Sequence, residues 1–398
     1  MSYDLLKGLR IIEISAFVAA PLAGLTLARL GAEVIRIDPP GGGIDFNRWP
    51  LASDGSSLYW QGLNRAKKSV LLDLKSPAGQ QVLAQLLNTH ADNGGIVLTN
   101  LGAVEWLQFD ALKQHRADVI LIELTGHHNG GTAVDYTVNA QVGVPAVTGG
   151  EADSTPVNHM LPTWDGIAGL TLSTALLAAL RARDKTTNGQ HLRIALSDVA
   201  VGYLGNLGVL AETALSGKSR ARQGNHVYGT FGHSLRCKDG RFVMVVAMTR
   251  RHWKALISAA KLEADILTIE QQHNLDLYRE ADRYTARRQI VTLLEAWSQQ
   301  HNQSEIAKQL TRHGALWGPY QSFDELLADP LLVADNPMMQ TLTQPAGTYP
   351  VAGSTIRIGG QIEDTISAAP VPGADTQQLL DELDLSASVL HALQQEHT

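Results

Sequence analysis

Cysteine is almost missing from this chain: Cys237 is the single one in 398 residues. An intramolecular disulfide framework and a thiolate zinc cluster are both excluded by that count. Aromatic residues make up only 6% and charged residues 18%, and neither sign of charge gathers into a long run. With a net charge of -7, nucleic acid and an anionic membrane are poor partners, although a local basic pocket for a phosphate-bearing ligand is compatible with that balance. The sequence lacks a basic, long-hydrophobic leader and a stretch of ~20 apolar residues suited to a bilayer, so the expected setting is cytoplasmic, with no membrane partner. One further absence concerns a motif. The turn Ser15-Ala16-Phe17-Val18-Ala19-Ala20 stands where a dinucleotide site carries G-x-G-x-x-G, which argues against NAD binding there.

What surrounds that turn is a Rossmann-like unit. Leu9 to Ile14 is an apolar, β-branched run; Pro21 opens a helix to Leu30, Gly31 closes it, and Val34 to Ile37 is a second buried-type strand. Further strands are expected at Val70 to Leu74, Gly95 to Thr99 and Val119 to Leu124, with a Ser-Pro-initiated helix over Ser76 to Asn88. Such alternation predicts an α/β fold with a mainly parallel sheet. A helix over Thr171 to Arg183, a strand over Leu192 to Leu196 and a helix over Ser197 to Leu215 follow. After Ser216-Gly217 the composition changes, and a strand over Arg241 to Met248 and helices near 250 to 262 and 284 to 299, anchored by Trp253 and Trp297, predict a smaller α+β domain. Gly318-Pro319 reads as a turn before a helix over Phe323 to Ala328. At 44% hydrophobic, the chain has material for a large core and two domains.

Among residues that carry chemistry, Asp165 stands out in Leu161-Pro162-Thr163-Trp164-Asp165-Gly166, just ahead of an apolar helix. It reads as a helix N-cap and as a carboxylate kept ionised by the helix dipole, and the two readings are compatible. His127-His128 beside Asn129-Gly130-Gly131 reads as an exposed turn, and no metal site is expected. Pro39 to Gly43 lacks the Lys-Ser/Thr pair of a phosphate loop, and Cys237 reads as a buried small hydrophobe.

The segments at 8–43, 63–87 and 177–198, with Glu325-Leu326-Leu327-Ala328-Asp329-Pro330, resemble the family III CoA-transferases. Within that family, AFVAAPLAG, GGGIDFNRWP, VDYTVNAQVGVP and VNHMLPTWD are most similar to members acting on mesaconyl-CoA. The resemblance implies a Rossmann-like CoA-binding domain over 1–203, a small domain over 224–305 and a segment 316–398 that returns to the first. It also implies an interlocked homodimer, Asp165 as catalytic nucleophile, and glycines at 166 and 169 that admit a bulky thioester. Backbone amides near Gly166 would serve as oxyanion donors, and Gln223 to Gly229 as a cover or polar wall. No cofactor is implied beyond the CoA that the substrate carries.

The CoA contacts so implied are Val18 and Ala19, Leu72, Asp73, Leu74 and Lys75, Asn100, Leu101 and Gly102, and Val134, Asp135, Tyr136 and Thr137. His159, Asn158 and Asn225 are the candidates for the substrate carboxylate, and Arg36, Arg48 and Lys68 for the adenine. Val18 stands in place of a glutamine, Pro39 of an arginine and Thr137 of an acidic residue found in the formyl-CoA enzymes, which disfavours oxalate or formate. The expected reaction is intramolecular transfer of CoA from C1 to C4 of mesaconate (2-methylfumarate), as in the 3-hydroxypropionate route of carbon fixation. Transfer between two acids, for example from succinyl-CoA, is the alternative within the family. A Rossmann-like oxidoreductase and a binding module without catalysis are the readings from other classes.

Overall fold

A computed structural model describes residues 3–90, 93–102, 104–344, 346–363 and 365–396. Two compact units emerge. The first takes in residues 1–142, 159–216 and 335–398, and the second 143–158 and 217–334. This division differs from the expected ranges in two places: 143–158, which lies within the first expected range, clusters with the second unit, and the return begins at Asp335 and not at 316.

The first unit is built on six parallel strands, β1 (Arg10–Ile14), β2 (Glu33–Asp38), β3 (Lys68–Leu71), β4 (Ile96–Thr99), β5 (Ile120–Thr125) and β6 (Gln190–Ala195), in the order β3-β2-β1-β4-β5-β6. Near-continuous apolar runs form β1, β4 and β5 because helices cover both faces of the sheet. The order reverses between β1 and β4, and a sheet of this kind leaves a crevice there, beyond the carboxyl ends of the strands. Asn100 bridges that point: its side chain accepts from the Ala16 amide at 2.8 Å and donates to the Ala16 carbonyl at 2.6 Å.

The helix Thr163–Thr186 begins eight residues before the expected Thr171, so Asp165 lies in its first turn. It packs along the helix Ala19–Arg29, which explains Gly169: a Cβ there would lie 2.8 Å from the Ala19 carbonyl oxygen and 3.1 Å from Leu22. Gly169 therefore serves the packing of two helices, whereas a Cβ on Gly166 would meet open space. The expected helix over Ser197 to Leu215 is broken into Leu196–Asn206 and Val209–Ser216, bent by 67° around Gly208, whose φ is +77°. Among the described residues Thr163–Thr186 is long and apolar enough to cross a membrane, and the bent pair meets the same criterion if counted as one span.

In the second unit β7 (Phe231–Arg236), β8 (Phe242–Ala247) and β9 (Leu316–Pro319) form an antiparallel sheet, so Gly318-Pro319 continues a strand where a turn was expected. Trp253 and Trp297 lie in this unit's core with Phe231, Leu256 and Ile290, and Cys237 is buried there. The returning segment of the first unit forms a hairpin, β10 (Met339–Gln344) with β11 (Gly347–Ala352), and then places Leu379, Leu380, Val389 and Leu393 in the core beneath β3.

Candidate active site

At the reversal point of the parallel sheet lies a cavity of about 540 Å³, walled entirely by the first unit. The turn after β1 contributes Phe17 and Val18, and the turn after β4 contributes Asn100. Thr125, Gly126 and the stretch Thr132 to Tyr136 follow from the end of β5, and Pro162 and Asp165 from the start of the Thr163–Thr186 helix. Arg48, Trp49 and Tyr59 close one side. Phe17 has a φ of +66°, a left-handed conformation that costs a residue with a Cβ about 1 kcal/mol or more.

Asp165 is not the helix cap. The residue before the helix is Pro162, whose ring carries no hydrogen-bond acceptor, and the free amides of Trp164 and Asp165 instead donate to Oδ2 of Asp135 at 2.6 and 3.0 Å. Asp135 is buried on its own helix, Asp135–Gln141, and supplies from a distance the acceptor that the local sequence lacks. Its Oδ1 is buried without a partner. The Gly166 amide donates to the Pro162 carbonyl at 3.1 Å, so that amide is engaged within the helix. Asp165 is thereby left with its carboxylate directed into the cavity wall. Burial pushes its pKa up to about 7; Asp135 adds to the rise, and Arg48 opposes it. The dipole of a helix start therefore does not keep this carboxylate acidic.

Behind the turn that carries Phe17 lies a buried ionic cluster. The Arg36 guanidinium donates to Asp38, Asp45, Asn64 and the Ser15 carbonyl, and Lys67 donates to Glu13 at 2.9 Å. Burial opposes the charge on Arg36, and its acidic neighbours outweigh that and raise its pKa. Burial brings Lys67 down to about 8. These bonds tie the strand ends of β1 and β2 to the loop that carries Asp45 and Arg48.

The expected CoA residues divide. Val18, Asn100, Val134, Asp135 and Tyr136 line the cavity, and the Tyr136 hydroxyl donates to the Met160 carbonyl at 3.2 Å. Ala19, Leu72 and Leu74 have their side chains buried in the core, which leaves only their backbone for a ligand. Asp73 accepts from the Lys75 amide, Lys75 is exposed, and Leu101 and Gly102 are exposed beyond β4. The Thr137 hydroxyl accepts from the Val134 amide at 3.2 Å and donates to the Val134 carbonyl at 2.8 Å, a structural task for that hydroxyl. None of these eight is in the cavity wall.

Of the carboxylate candidates, His159 is not in the wall either; its Nδ1 faces the Leu161 carbonyl and its ring lies edge-on to Trp164. Asn158 and Asn225 belong to the second unit, where Asn225 donates to Ser234 Oγ at 2.9 Å, and His226 beside it stacks on His233. Among the adenine candidates, Arg36 is enclosed in the ionic cluster and Lys68 is paired with Glu33 at 2.6 Å. Arg48 alone of the three borders the cavity.

The sequence model of CoA-transferase family III matches residues 6–376. The chain belongs to CoA-transferase family III. It is 42% identical to 2-methylfumaryl-CoA isomerase of Chloroflexus aurantiacus, over 98% of this chain and 97% of that one. Succinyl-CoA:mesaconate CoA-transferase of Haloarcula hispanica is 26% identical over 95% of this chain and 96% of its own. A CAIB/BAIF family protein from Brucella suis has the same fold, with a TM-score of 0.77 over 96% of this chain and 100% of that chain, at 24% identity. A family III CoA-transferase is an enzyme, and the mixed α/β fold with its six-stranded parallel sheet is that of the family. Sequence reading passed over Phe17, Trp49 and Tyr59, which carry no local signal: each comes to the cavity from a loop or a short helix whose approach is set by distant strands.

Proposed function

We propose that this enzyme moves CoA within one molecule, converting 2-methylfumaryl-CoA (mesaconyl-C1-CoA) to 3-methylfumaryl-CoA (mesaconyl-C4-CoA). The observation that carries the reading is 42% identity to a 2-methylfumaryl-CoA isomerase across 98% of the chain. Asp165 is the nucleophile. Its carboxylate attacks the C1 carbonyl, forming a C–O bond and breaking the C–S bond, so that CoA leaves as thiolate and a mixed anhydride remains. The thiolate then attacks the aspartyl carbonyl and releases mesaconate, leaving an aspartyl-CoA thioester. Mesaconate turns, its C4 carboxylate attacks that thioester and breaks its C–S bond to give the second anhydride and CoA thiolate, and the thiolate attacks at C4 and frees Asp165. Every thioester broken is replaced by one formed, so no ATP is consumed.

This chemistry asks for an ionised Asp165 and for exclusion of water from the anhydride, and the largely enclosed position of the carboxylate supports the exclusion. Oxyanion donors from the backbone and the thirteen CoA contacts remain part of the reading, with Val18, Asn100, Val134, Asp135 and Tyr136 best supported by position. A homodimer, interlocked as in the family, is supported by exposed apolar side chains at Leu170, Val201, Leu207, Leu210 and Leu215. A cytoplasmic role in carbon fixation completes it, with CoA as part of the substrate and no other cofactor.

Transfer between two acids is the second reading, favoured by the 26% identity to a succinyl-CoA:mesaconate enzyme. Incubation with mesaconyl-C1-CoA alone, with and without labelled mesaconate, separates them. The proposal expects the C4 isomer without uptake of label; label in the product, or no reaction until a second acid is added, gives the intermolecular reading.

A further inference from the structure

Arg48 is the one cationic side chain among the described residues lining the cavity, which otherwise presents two carboxylates, Asp135 and Asp165, in a wall of apolar and neutral polar groups. It makes no ion pair among the described residues, although Asp45 lies three positions before it on the same loop; Asp45 is taken by Arg36 at 2.9 Å. The guanidinium is held by aromatic faces instead, 5.2 Å from the centre of the Phe17 ring and 5.3 Å from that of Tyr59. The Tyr59 hydroxyl, which belongs to the same wall, is buried with no acceptor for its proton, and the Arg48 guanidinium is close enough to act on its oxygen. A guanidinium without an acid partner and a hydroxyl proton without an acceptor thus stand side by side at the cavity. Such an arrangement fits a planar anion.

We infer that Arg48, with the Tyr59 hydroxyl, receives the free carboxylate of a dicarboxylic acyl thioester and makes the site selective for diacid over monoacid acyl groups. This rests on the proposed CoA-transfer reading and extends it to the acyl end of the substrate. A CoA phosphate has the same chemistry, but the pantetheine arm separates it from the thioester sulfur. Arg48, by contrast, acts on the charge of Asp165, where the acyl carbon must sit. In an intramolecular transfer one carboxyl group reacts at Asp165 while the other needs a partner, and after the acid turns the two exchange places. A single fixed cation serves both orientations. The anchoring of Asp45 by Arg36 makes Arg36 a positioning residue for this loop.

The test compares the first half-reaction, formation of the aspartyl-CoA thioester, for mesaconyl-C1-CoA and for 2-methylcrotonyl-CoA, which lacks the second carboxylate. Wild type, Arg48→Gln and Arg48→Lys are measured. The expected result is a fall in kcat/KM for mesaconyl-C1-CoA of about tenfold to a hundredfold in Arg48→Gln, from the loss of a charge-assisted bond, with less than about threefold change for 2-methylcrotonyl-CoA. Arg48→Lys is expected between the two, since the charge returns without the planar fork. An equal fall for both thioesters in Arg48→Gln, with the ratio unchanged in Arg48→Lys, overturns the inference and assigns Arg48 to a CoA phosphate or to tuning Asp165. Wild type that is inert toward both thioesters overturns the CoA-transfer reading itself. Far-ultraviolet circular dichroism and thermal melting of each variant separate these outcomes from misfolding.

Discussion

Replacing Asp165 with Asn is expected to make the protein more stable at pH 8 and to leave its stability nearly unchanged below pH 4. The ordinary aspartate value is 3.8, and burial followed by the charge of Asp135 raises it to about 7 in the folded chain. Between those two values the folded state holds a proton that the unfolded state has released, so wild-type stability falls as pH rises through the window. A tenfold change in proton affinity is worth about 1.36 kcal/mol, and the roughly thousandfold difference between folded and unfolded chains gives a cost of about 4 kcal/mol, complete above pH 7. An Asn of the same shape does not titrate, and the difference between the two proteins should open across pH 4 to 7. Urea denaturation of both at pH 5 and pH 8 measures it. Under the proposed mechanism the same titration governs the nucleophile: roughly a tenth of Asp165 is ionised at pH 6 and nine tenths at pH 8, so kcat/KM should rise roughly tenfold between them and then level. A profile flat above pH 5, with a stability difference equal at both pH values, would show that Asp165 is an ordinary exposed carboxylate and that the geometry is misread.

The electrostatic partner makes a second prediction. Asp135→Asn keeps an oxygen for the Trp164 and Asp165 amides and removes the charge, so the midpoint of the activity profile should move to lower pH; an unchanged or higher midpoint contradicts the account. The two glycines of the Thr163–Thr186 helix should respond with opposite signs. Gly169→Val drives a Cβ against the Ala19 carbonyl and is expected to cost about 1–3 kcal/mol, read as a lower denaturation midpoint. Gly166→Ala enters open space on a helix and should gain about 0.5–1 kcal/mol; equal effects at the two positions would refute the packing argument.

The parallel strands of the first unit were legible because burial on both faces leaves uninterrupted runs such as Ile11, Ile12 and Ile14 or Ile96, Val97 and Leu98, and because Ser76-Pro77 announces its helix. The strand Phe231–Arg236 was not legible: its glycine and polar neighbours disguise a buried face supplied by the helices around Trp253. At the site, Asp165 could be found from the chain, yet its environment could not. The residue that caps its helix lies thirty positions earlier, and the cation that shares its cavity is carried by a loop pinned to β2 through Arg36. The N-cap reading failed for that reason, since a local rule was overridden by a tertiary partner. Likewise the family pattern marks Leu72 and Leu74 as a segment near CoA, while their alternation already points both side chains into the core.

The most direct test of the central claim is to incubate the enzyme with mesaconyl-C1-CoA, reduce the mixture with borohydride, and locate the modified residue by peptide mass spectrometry. An aspartyl-CoA thioester at Asp165 is converted by that treatment to the alcohol, so the account predicts the loss of one carboxyl oxygen and the gain of two hydrogens at Asp165, dependent on substrate. An unmodified Asp165, with the isomer still formed, would contradict covalent catalysis by this residue.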